Sequence, residues 1–212
     1  MSLEALQAIR FPNKIGGHIA LDFTNTAEHR GSEQFRDSLL AYHHWLTWCW
    51  RSDLLSNADA ETLYRVAAQR PHLAQQTHLR ALELREAIYV VVSAVISGQD
   101  WQTIDLSTLN EVLRLGYHHR LLASAEAGFS WLWDGAPDDL ERPLWVLALA
   151  AAELLTSEQL PRVRQCPNCG WLFIDTSRNG LRRWCSMDYC GSQVKSRRQY
   201  ERKKAVGASH TD

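Results

Sequence analysis

Four of the five cysteines in this 212-residue chain lie within one short segment, in the spacing C-x2-C-x15-C-x4-C. They are Cys166, Cys169, Cys185 and Cys190. A Cys-x2-Cys turn points two thiolates at one metal ion, and a second pair after about 15 residues completes a tetrahedral shell of sulfurs. The spacing therefore predicts one structural zinc ion, Zn²⁺, with no open position for catalysis. Gly170 follows the first pair, where such a turn often needs a positive φ.

Other arrangements also use closely spaced cysteines. Two disulfides fit the count, but the segment MSLEALQAIRFPNK lacks the apolar stretch of a secretion signal. A redox-active pair fits less well, because CPNC is not part of a β-α-β pattern and a second pair follows at metal-binding spacing. An iron–sulfur cluster also takes four thiolates and stays open at this point. Cys49, in a Trp-rich segment, is predicted to be a buried apolar thiol.

Charge is distributed unevenly along the chain, although the net charge is only −1. Residues 162–204 contain 11 Lys/Arg and 3 Asp/Glu, whereas the rest of the chain contains 12 Lys/Arg and 21 Asp/Glu. A basic end on an acidic body predicts a polyanion-binding module attached to a domain with another role. The longest apolar runs are too short to span a membrane. We therefore expect a cytoplasmic protein that is not membrane-bound.

Cations and side-chain amides surround the second cysteine pair and are the predicted nucleic-acid-binding residues. They are Arg178, Asn179, Arg182, Arg183, Gln193, Lys195, Arg197, Arg198, Arg202, Lys203 and Lys204. On a helix, Lys195, Arg198 and Arg202 form one cationic stripe. Arginine matches phosphate with a fork of donors, and amides hydrogen-bond to base edges. The expected partner is DNA, and a basic surface for an acidic protein is the alternative.

Hydrophobic periodicity predicts a mostly α (α+β) fold in two domains, residues 1–160 and 161–206. The first is a helical domain with a small β-hairpin element over residues 120–135 and a short strand around Ile19–Phe23. Its helices are predicted over 34–50, 58–69, 73–97 and 107–118, and from a D-x-x-E start at Asp138 to about Ser157. The second has two short strands around the first cysteine pair and a basic helix capped by Ser186.

A polar cluster follows the predicted first strand. Asp22, Asn25, Thr26 and Arg30 are candidates for holding a small polar ligand. The alternative is local, because Asp and Asn at such positions hydrogen-bond to nearby backbone. The motifs H-E-x-x-H and G-x-S-x-G and a Gly-rich phosphate loop are absent from the sequence, so we do not expect an enzyme.

The segment from Cys166 to Lys204 closely resembles the CGNR zinc finger. The matching positions are Cys166, Cys169, Phe173, Asp175, Arg182, Arg183, Trp184, Cys185, Ser186, Met187, Cys190 and Gly191. The segment GGHIALDFTNT resembles the start of the ABATE domain, which accompanies this finger, at Gly17, Leu21, Asp22, Phe23, Asn25 and Thr26. One departure is that Ser192 and Gln193 stand where the finger family has Asn and Arg.

The resemblance implies a bacterial, stress-responsive transcription regulator with a DNA-binding finger and a ligand-sensing ABATE domain. A dimer-forming role for the first domain, giving a homodimer, is a further hypothesis. The alternative function is a zinc-finger adaptor that binds a protein without contacting DNA directly. The departure at Ser192 and Gln193 leaves the zinc ligands intact but removes a charge from a position where the family has one.

Overall fold

The computed structural model describes residue 6 and residues 8–208, with side chains described up to residue 202. Helices within this range are α1 (Ile19–Thr24), α2 (Tyr42–Arg51), α3 (Asn57–Gln69), α4 (Pro71–Ile96), α5 (Ser107–His118), α6 (Arg142–Leu155) and α7 (Ser192–Ala208). Short 3-10 turns lie at Trp101–Thr103 and Leu160–Arg162, and a π-helical turn, Met187–Gly191, leads into α7. In this part of the chain, none of the helices is long and apolar enough to cross a membrane.

Among the residues that the structure describes, three separate pairs of antiparallel strands accompany these helices. They are β1 (Ala27–Glu28) with β2 (Arg36–Asp37), β3 (Arg120–Ala125) with β4 (Gly128–Trp133), and β5 (Val163–Gln165) with β6 (Leu172–Ile174). The predicted hairpin over 120–135 and the two strands around the first cysteine pair are both confirmed. The predicted fold class, mostly helical with small two-stranded sheets, is confirmed as well.

Helix α6 lies at the centre of the helical domain, as its nearly all-round apolar sequence predicts. Trp145, Leu147 and Ala148 on this helix are buried, and α1, α4 and α5 pack around it. Gly116 on α5 allows close approach, because a Cβ atom there would lie 3.4 Å from the Cβ of Trp145. The helix begins at Arg142 without a side-chain cap, so the predicted D-x-x-E capping box at Asp138 is wrong.

The predicted strand around Ile19–Phe23 is wrong, because these residues form the helix α1. The segment is short, and its buried residues fit a helical face as well as they fit a strand. Ala20, Leu21, Phe23 and Thr24 are all buried against the core. The helix predicted from residue 34 begins only at Tyr42, since β2 occupies Arg36–Asp37.

The hairpin β5–β6 contributes to two hydrophobic clusters at once. Val163, Leu172 and Ile174 are buried in the main core of the helical domain. Phe173, between Leu172 and Ile174, is buried instead in a smaller cluster with the four cysteines. This division follows from the strand period of two, which sends successive side chains to opposite faces. The cysteine module therefore shares one of its strands with the core of the helical domain.

Candidate metal centre and nucleic-acid interface

The four predicted zinc ligands lie together and are all buried. Their Sγ atoms are within 4.8 Å of one another. The Sγ atoms of Cys169 and Cys185 are 3.6 Å apart, and those of Cys185 and Cys190 are 3.5 Å apart. A tetrahedral zinc site with Zn–S bonds of about 2.3 Å places its sulfur atoms about 3.8 Å apart. The cluster therefore fits a single zinc ion.

The first cysteine pair sits on the turn between β5 and β6. The backbone N–H of Gly170 donates to the carbonyl of Cys166 over 2.9 Å, and the N–H of Cys166 donates to the carbonyl of Trp171 over 2.8 Å. Gly170 has φ +79°, as the sequence predicted, and this conformation favours glycine. These two hydrogen bonds close the turn and hold both thiols on one side of it.

The second pair is placed by the start of the C-terminal helix. The Ser186 side chain accepts a hydrogen bond from the N–H of Tyr189, which confirms Ser186 as a cap. The N–H groups of Cys190 and Gly191 both donate to the Ser186 carbonyl. This wide π turn carries Cys190 back toward Cys185. A Cβ atom at Gly191 would lie 2.6 Å from the Sδ atom of Met187, so a larger residue there requires the exposed Met187 side chain to move.

Zinc binding by this cluster is linked to protons. Hydrogen bonds from the Cys169 and Cys185 thiols lower the pKa of Cys166, whereas burial raises the pKa of Cys190. Thiols must lose their protons to bind the metal. Four thiolates also select zinc over hard cations such as Mg²⁺. The cysteines hold one structural zinc ion, and their closed shell leaves no position for a substrate.

Asp175 organises the arginine-rich loop that precedes the second cysteine pair. Its carboxylate accepts hydrogen bonds from the N–H and hydroxyl of Ser177 at 2.9 and 2.6 Å, and from the N–H of Arg182 at 2.9 Å. The hydrogen bond from the Ser177 hydroxyl lowers the pKa of Asp175. The Asp175 carbonyl accepts from Arg162 Nε at 2.9 Å. In the sequence, Asp175 stands out only as a position of the finger motif, and nothing there predicts this role.

Arg182 differs from the other predicted DNA-contacting cations. Its guanidinium donates to the carbonyls of Trp184 and Cys185 and lies 4.6 Å from the centre of the Phe173 ring. The contacts of Arg182 are therefore with other residues of the zinc module. Its charge is directed toward backbone carbonyls rather than toward solvent.

Most of the other predicted residues are exposed on one module. The exposed ones are Arg178, Asn179, Arg183, Gln193, Lys195, Arg197, Arg198 and Arg202. Arg183 lies over the ring of Trp184, 4.9 Å from its centre. The side chains of Lys203 and Lys204 lie outside the described residues. The structure thus brings an arginine-rich loop and a basic helix together around the zinc site.

The two residues that depart from the finger family have local partners. The Ser192 hydroxyl donates to the carbonyl of Asp188 over 2.6 Å. The Gln193 Oε1 atom accepts from the Asn168 side chain over 3.3 Å, and the same Asn168 amide lies 3.5 Å from the Cys190 Sγ. Gln193 therefore links α7 to the turn that carries the first cysteine pair.

The four predicted ligand-binding residues have protein partners. The Asp22 carboxylate accepts from the N–H of Gly16 over 2.8 Å, and burial raises the pKa of Asp22. The Thr26 hydroxyl donates to the Phe23 carbonyl. The Arg30 guanidinium pairs with Glu86 on α4 at 2.8 Å and also donates to the carbonyls of Thr24 and Ala27. The contacts of Asp22 and Thr26 are local, as the alternative expects, whereas the pair of Arg30 with Glu86 is long-range. A ligand role for these residues stays a prediction.

Asn25 joins the helical domain to the zinc module. Its side-chain amide donates to the Leu172 carbonyl and accepts from the Leu172 N–H, both over 2.8 Å. Nearby, the N–H of Ile174 donates to the Gly16 carbonyl, and the N–H of His29 donates to the Cys169 carbonyl, both over 2.8 Å. The residues around α1 therefore supply hydrogen-bond partners to backbone groups of β6 and of the turn before it, as a neighbouring strand would.

A buried ion network that the sequence analysis missed lies behind Asn25. Arg85 on α4 is 3% exposed and binds the Asp37 carboxylate through two hydrogen bonds of 2.8 and 2.6 Å. It also binds Glu86 and the hydroxyl of Thr26. An arginine within an amphipathic helix gives no sequence signal of burial, so only the three-dimensional contacts reveal it.

An open groove lies on the other side of this network. It has a volume of about 1100 Å³ and lies between the start of α2, helix α3 and the start of α4. Its lining is mostly apolar and includes Leu40, Tyr42, Ala67, Pro71 and His78. His78 is buried, and its Nε2 atom lies 2.9 Å from the Leu39 carbonyl.

A mostly helical domain joined to a closed four-thiolate site defines a zinc-finger protein. Comparison with family models specifies the family. Residues 17–158 match the ABATE model, described as "Putative stress-induced transcription regulator", and residues 162–203 match the CGNR zinc finger. The chain belongs to the ABATE family of transcription regulators and carries a CGNR zinc finger after that domain. This confirms the resemblance, and the description is not that of an enzyme family. A comparison with curated proteins found no match.

Proposed function

We propose that the protein binds DNA through its zinc module and regulates transcription in response to a ligand of the helical domain. The observation that carries the DNA-binding part is the exposed arginine-rich surface around the zinc site. The zinc ion fixes the loop containing Arg178 and Arg183 against the start of α7. Arg198 and Arg202 then extend along one side of that helix. Such an array neutralises several phosphates of a duplex.

The residues of this surface divide into those that contact phosphates and those that contact bases. Arg183 and the stripe on α7 contact phosphates, which position the protein without reading sequence. Asn179 is exposed in the loop, and its amide supplies hydrogen bonds to base edges. At the position of the family arginine, Gln193 contributes an uncharged amide. We therefore expect weaker phosphate binding at that position than an arginine would give.

Fluorescence anisotropy with a labelled DNA duplex at several salt concentrations tests this proposal. The logarithm of the binding constant falls with log salt by about 0.9 for each phosphate contact. Replacing Arg198 and Arg202 with glutamine removes two contacts, so the slope becomes shallower by about 1.8. Arg114→Gln, on the exposed face of α5 and outside the zinc module, is the control and leaves the slope unchanged. Absence of duplex binding at low salt contradicts the proposal.

The alternative function is an adaptor whose zinc module binds a protein rather than DNA. Leu181 and Met187, exposed beside the second cysteine pair, give this module some apolar surface. A partner retained on the immobilised protein after nuclease treatment, together with no duplex binding at low salt, supports the adaptor.

For ligand sensing, we propose the groove between α2, α3 and α4 as the binding place for a small apolar molecule. A chain of hydrogen bonds runs from this groove to the zinc module. His78 contacts the Leu39 carbonyl, and the Leu39 N–H donates to Asp37 over 2.8 Å. Asp37 binds Arg85, which contacts Thr26 over 3.2 Å. Thr26 adjoins Asn25, which holds β6.

A substitution that fills the groove acts as a permanent ligand and tests this idea. Ala67 lines the groove, so Ala67→Trp occupies part of its volume. Allosteric coupling between two sites typically changes affinity about 5- to 150-fold. We therefore expect Ala67→Trp to change the dissociation constant for the DNA duplex by at least about fivefold. Ala58→Trp, on the exposed start of the same helix, is the control. Equal affinities for the two variants contradict the proposal.

A further inference from the structure

The hairpin β3–β4 leaves large apolar side chains in solvent. Exposed fractions at five positions are half or more: Phe129 77%, Leu122 61%, Trp131 58%, Leu132 54% and Leu121 50%. Together they present on the order of 500 Å² of apolar surface. The largest patch on an ordinary monomer measures about 300–600 Å² and is often functional. This hairpin therefore carries, over its two faces together, as much exposed apolar surface as the largest patch of an ordinary monomer.

Only the base of the hairpin is anchored to the core. Trp133, the last residue of β4, lies 6.0 Å from Trp145 on α6, and His119 stacks on Trp145 at 4.1 Å. The strands beyond this base pair only with each other among the described residues. A two-stranded hairpin is marginally stable in water unless it packs against something else. The outer part of β3–β4 thus lacks, within the described chain, the packing that such an element needs.

The strand register sorts the exposed residues onto the two faces. Leu122 is opposite Trp131, and Ser124 is opposite Phe129, so three large apolar side chains share one face. Leu121 is opposite Leu132 on the other face. These three pairs of strand positions place large apolar side chains on both faces of the hairpin.

Charge is nearly absent from this element. Between residues 120 and 133 the only charged residues are Arg120 and Glu126, and the Arg120 guanidinium lies 4.6 Å from the centre of the Trp131 ring. Natural proteins protect free sheet edges with charges or proline. Neither strand carries proline, and the single cation is too little charge for a nucleic acid.

We infer that β3–β4 is a dimerisation surface whose partner is a second copy of this chain. A two-fold axis places the same patch on both subunits, and an uncharged apolar face is complementary to itself. In such a dimer one face of each hairpin meets the same face of the other, and the face with Leu122, Phe129 and Trp131 presents about 400 Å² per copy. Two copies then bury about 800 Å² through these side chains, which is the size of a weak specific interface. Each dimer then presents two zinc modules, so the inference deepens the proposed function by giving the regulator two DNA-contacting surfaces.

The experiment is sedimentation velocity on the full chain over a range of concentrations. We expect the unmodified protein to sediment at twice the monomer mass. Phe129→Ser combined with Trp131→Ser is expected to raise the dimer dissociation constant at least about tenfold, because buried aromatic anchors dominate interface affinity. Trp101→Ser is the matched control: Trp101 is 78% exposed but lies outside the hairpin. Circular dichroism checks that all variants keep their helical content.

Three outcomes overturn the inference: a monomer at all concentrations, a dimer that the double variant leaves unchanged, or equal weakening by Trp101→Ser. The duplex-binding assay separates this inference from the proposed function. A monomer that binds DNA refutes only the dimer, and a dimer that fails to bind DNA at low salt refutes only the DNA-binding proposal.

Discussion

Asn25 is the residue whose replacement most directly tests how the zinc module is held to the helical domain. It is 3% exposed and satisfies both backbone groups of Leu172 with hydrogen bonds of 2.8 Å. In Asn25→Ala, the Leu172 N–H and carbonyl lose these partners in a buried setting. Each unsatisfied group costs about 1–3 kcal/mol, so we expect a loss of about 2–5 kcal/mol in the free energy of unfolding. The whole free energy of unfolding of a typical protein is only about 5–15 kcal/mol.

Urea unfolding followed by tryptophan fluorescence measures this loss by linear extrapolation. The matched control is Asn110→Ala on the exposed face of α5, where helix propensity changes stability by less than about 1 kcal/mol. Asn25→Asp adds a second test. A carboxylate there faces the Leu172 carbonyl and repels it, whereas a protonated carboxyl can donate to it. The Asp variant should therefore recover part of its stability in mild acid. A loss below about 1 kcal/mol for Asn25→Ala refutes the assigned role.

Three further predictions address the metal site and the buried ion network. Cys185→Ser is expected to lose bound zinc, measured by metal analysis, while the helical content stays native by circular dichroism; retained zinc would contradict the four-cysteine site. Gly170→Ala places alanine at φ +79° and is expected to cost about 1–2 kcal/mol; unchanged zinc retention against a chelator would argue against strain there. Arg85→Met leaves the Asp37 carboxylate without its charged partner, while Glu86 keeps Arg30, and is expected to cost about 3–5 kcal/mol at neutral pH. Burial opposes ionisation of Asp37, but the hydrogen bonds and charge of Arg85 lower the pKa of Asp37 overall. The stabilisation from this ion pair is therefore lost as pH falls through the folded-state pKa of Asp37. If the stability lost in Arg85→Met does not shrink in acid, the ion pair is not its source.

The zinc site was predictable from the sequence because its ligands are close together along the chain. The spacing of Cys166, Cys169, Cys185 and Cys190 was enough to predict that they share one metal ion. Ser186 and Gly170 have the cap and turn roles that their residue types favour. Helices with local end signals were also predictable. The helix predicted over 58–69 matches α3, which Ser56 caps, and the helix predicted over 73–97 matches the end of α4, where Gly98 has φ +75°. In each case the determining contact is local.

Long-range contacts account for what the sequence did not predict. The alternation around Leu21 and Phe23 fits a strand or a helix over so few residues, and packing against α6 decides in favour of the helix. In the sequence, Arg182 does not differ from the other arginines of the loop, but in the structure its guanidinium donates hydrogen bonds to the carbonyls of Trp184 and Cys185. The burial of Arg85 and the sharing of β6 between two cores depend on residues far apart in the chain. Periodicity and spacing carry no information on such pairings.

The bond between Asn25 and Leu172 also sets a time scale for making this protein. The two residues are 147 positions apart in the chain. At a synthesis rate of about 5–20 residues per second, roughly 7–30 s separate their appearance on the ribosome. During that interval α1 cannot acquire its final partner. A chain truncated before β6 would lack that partner altogether, so only chains that extend through β6 can assemble the joined core.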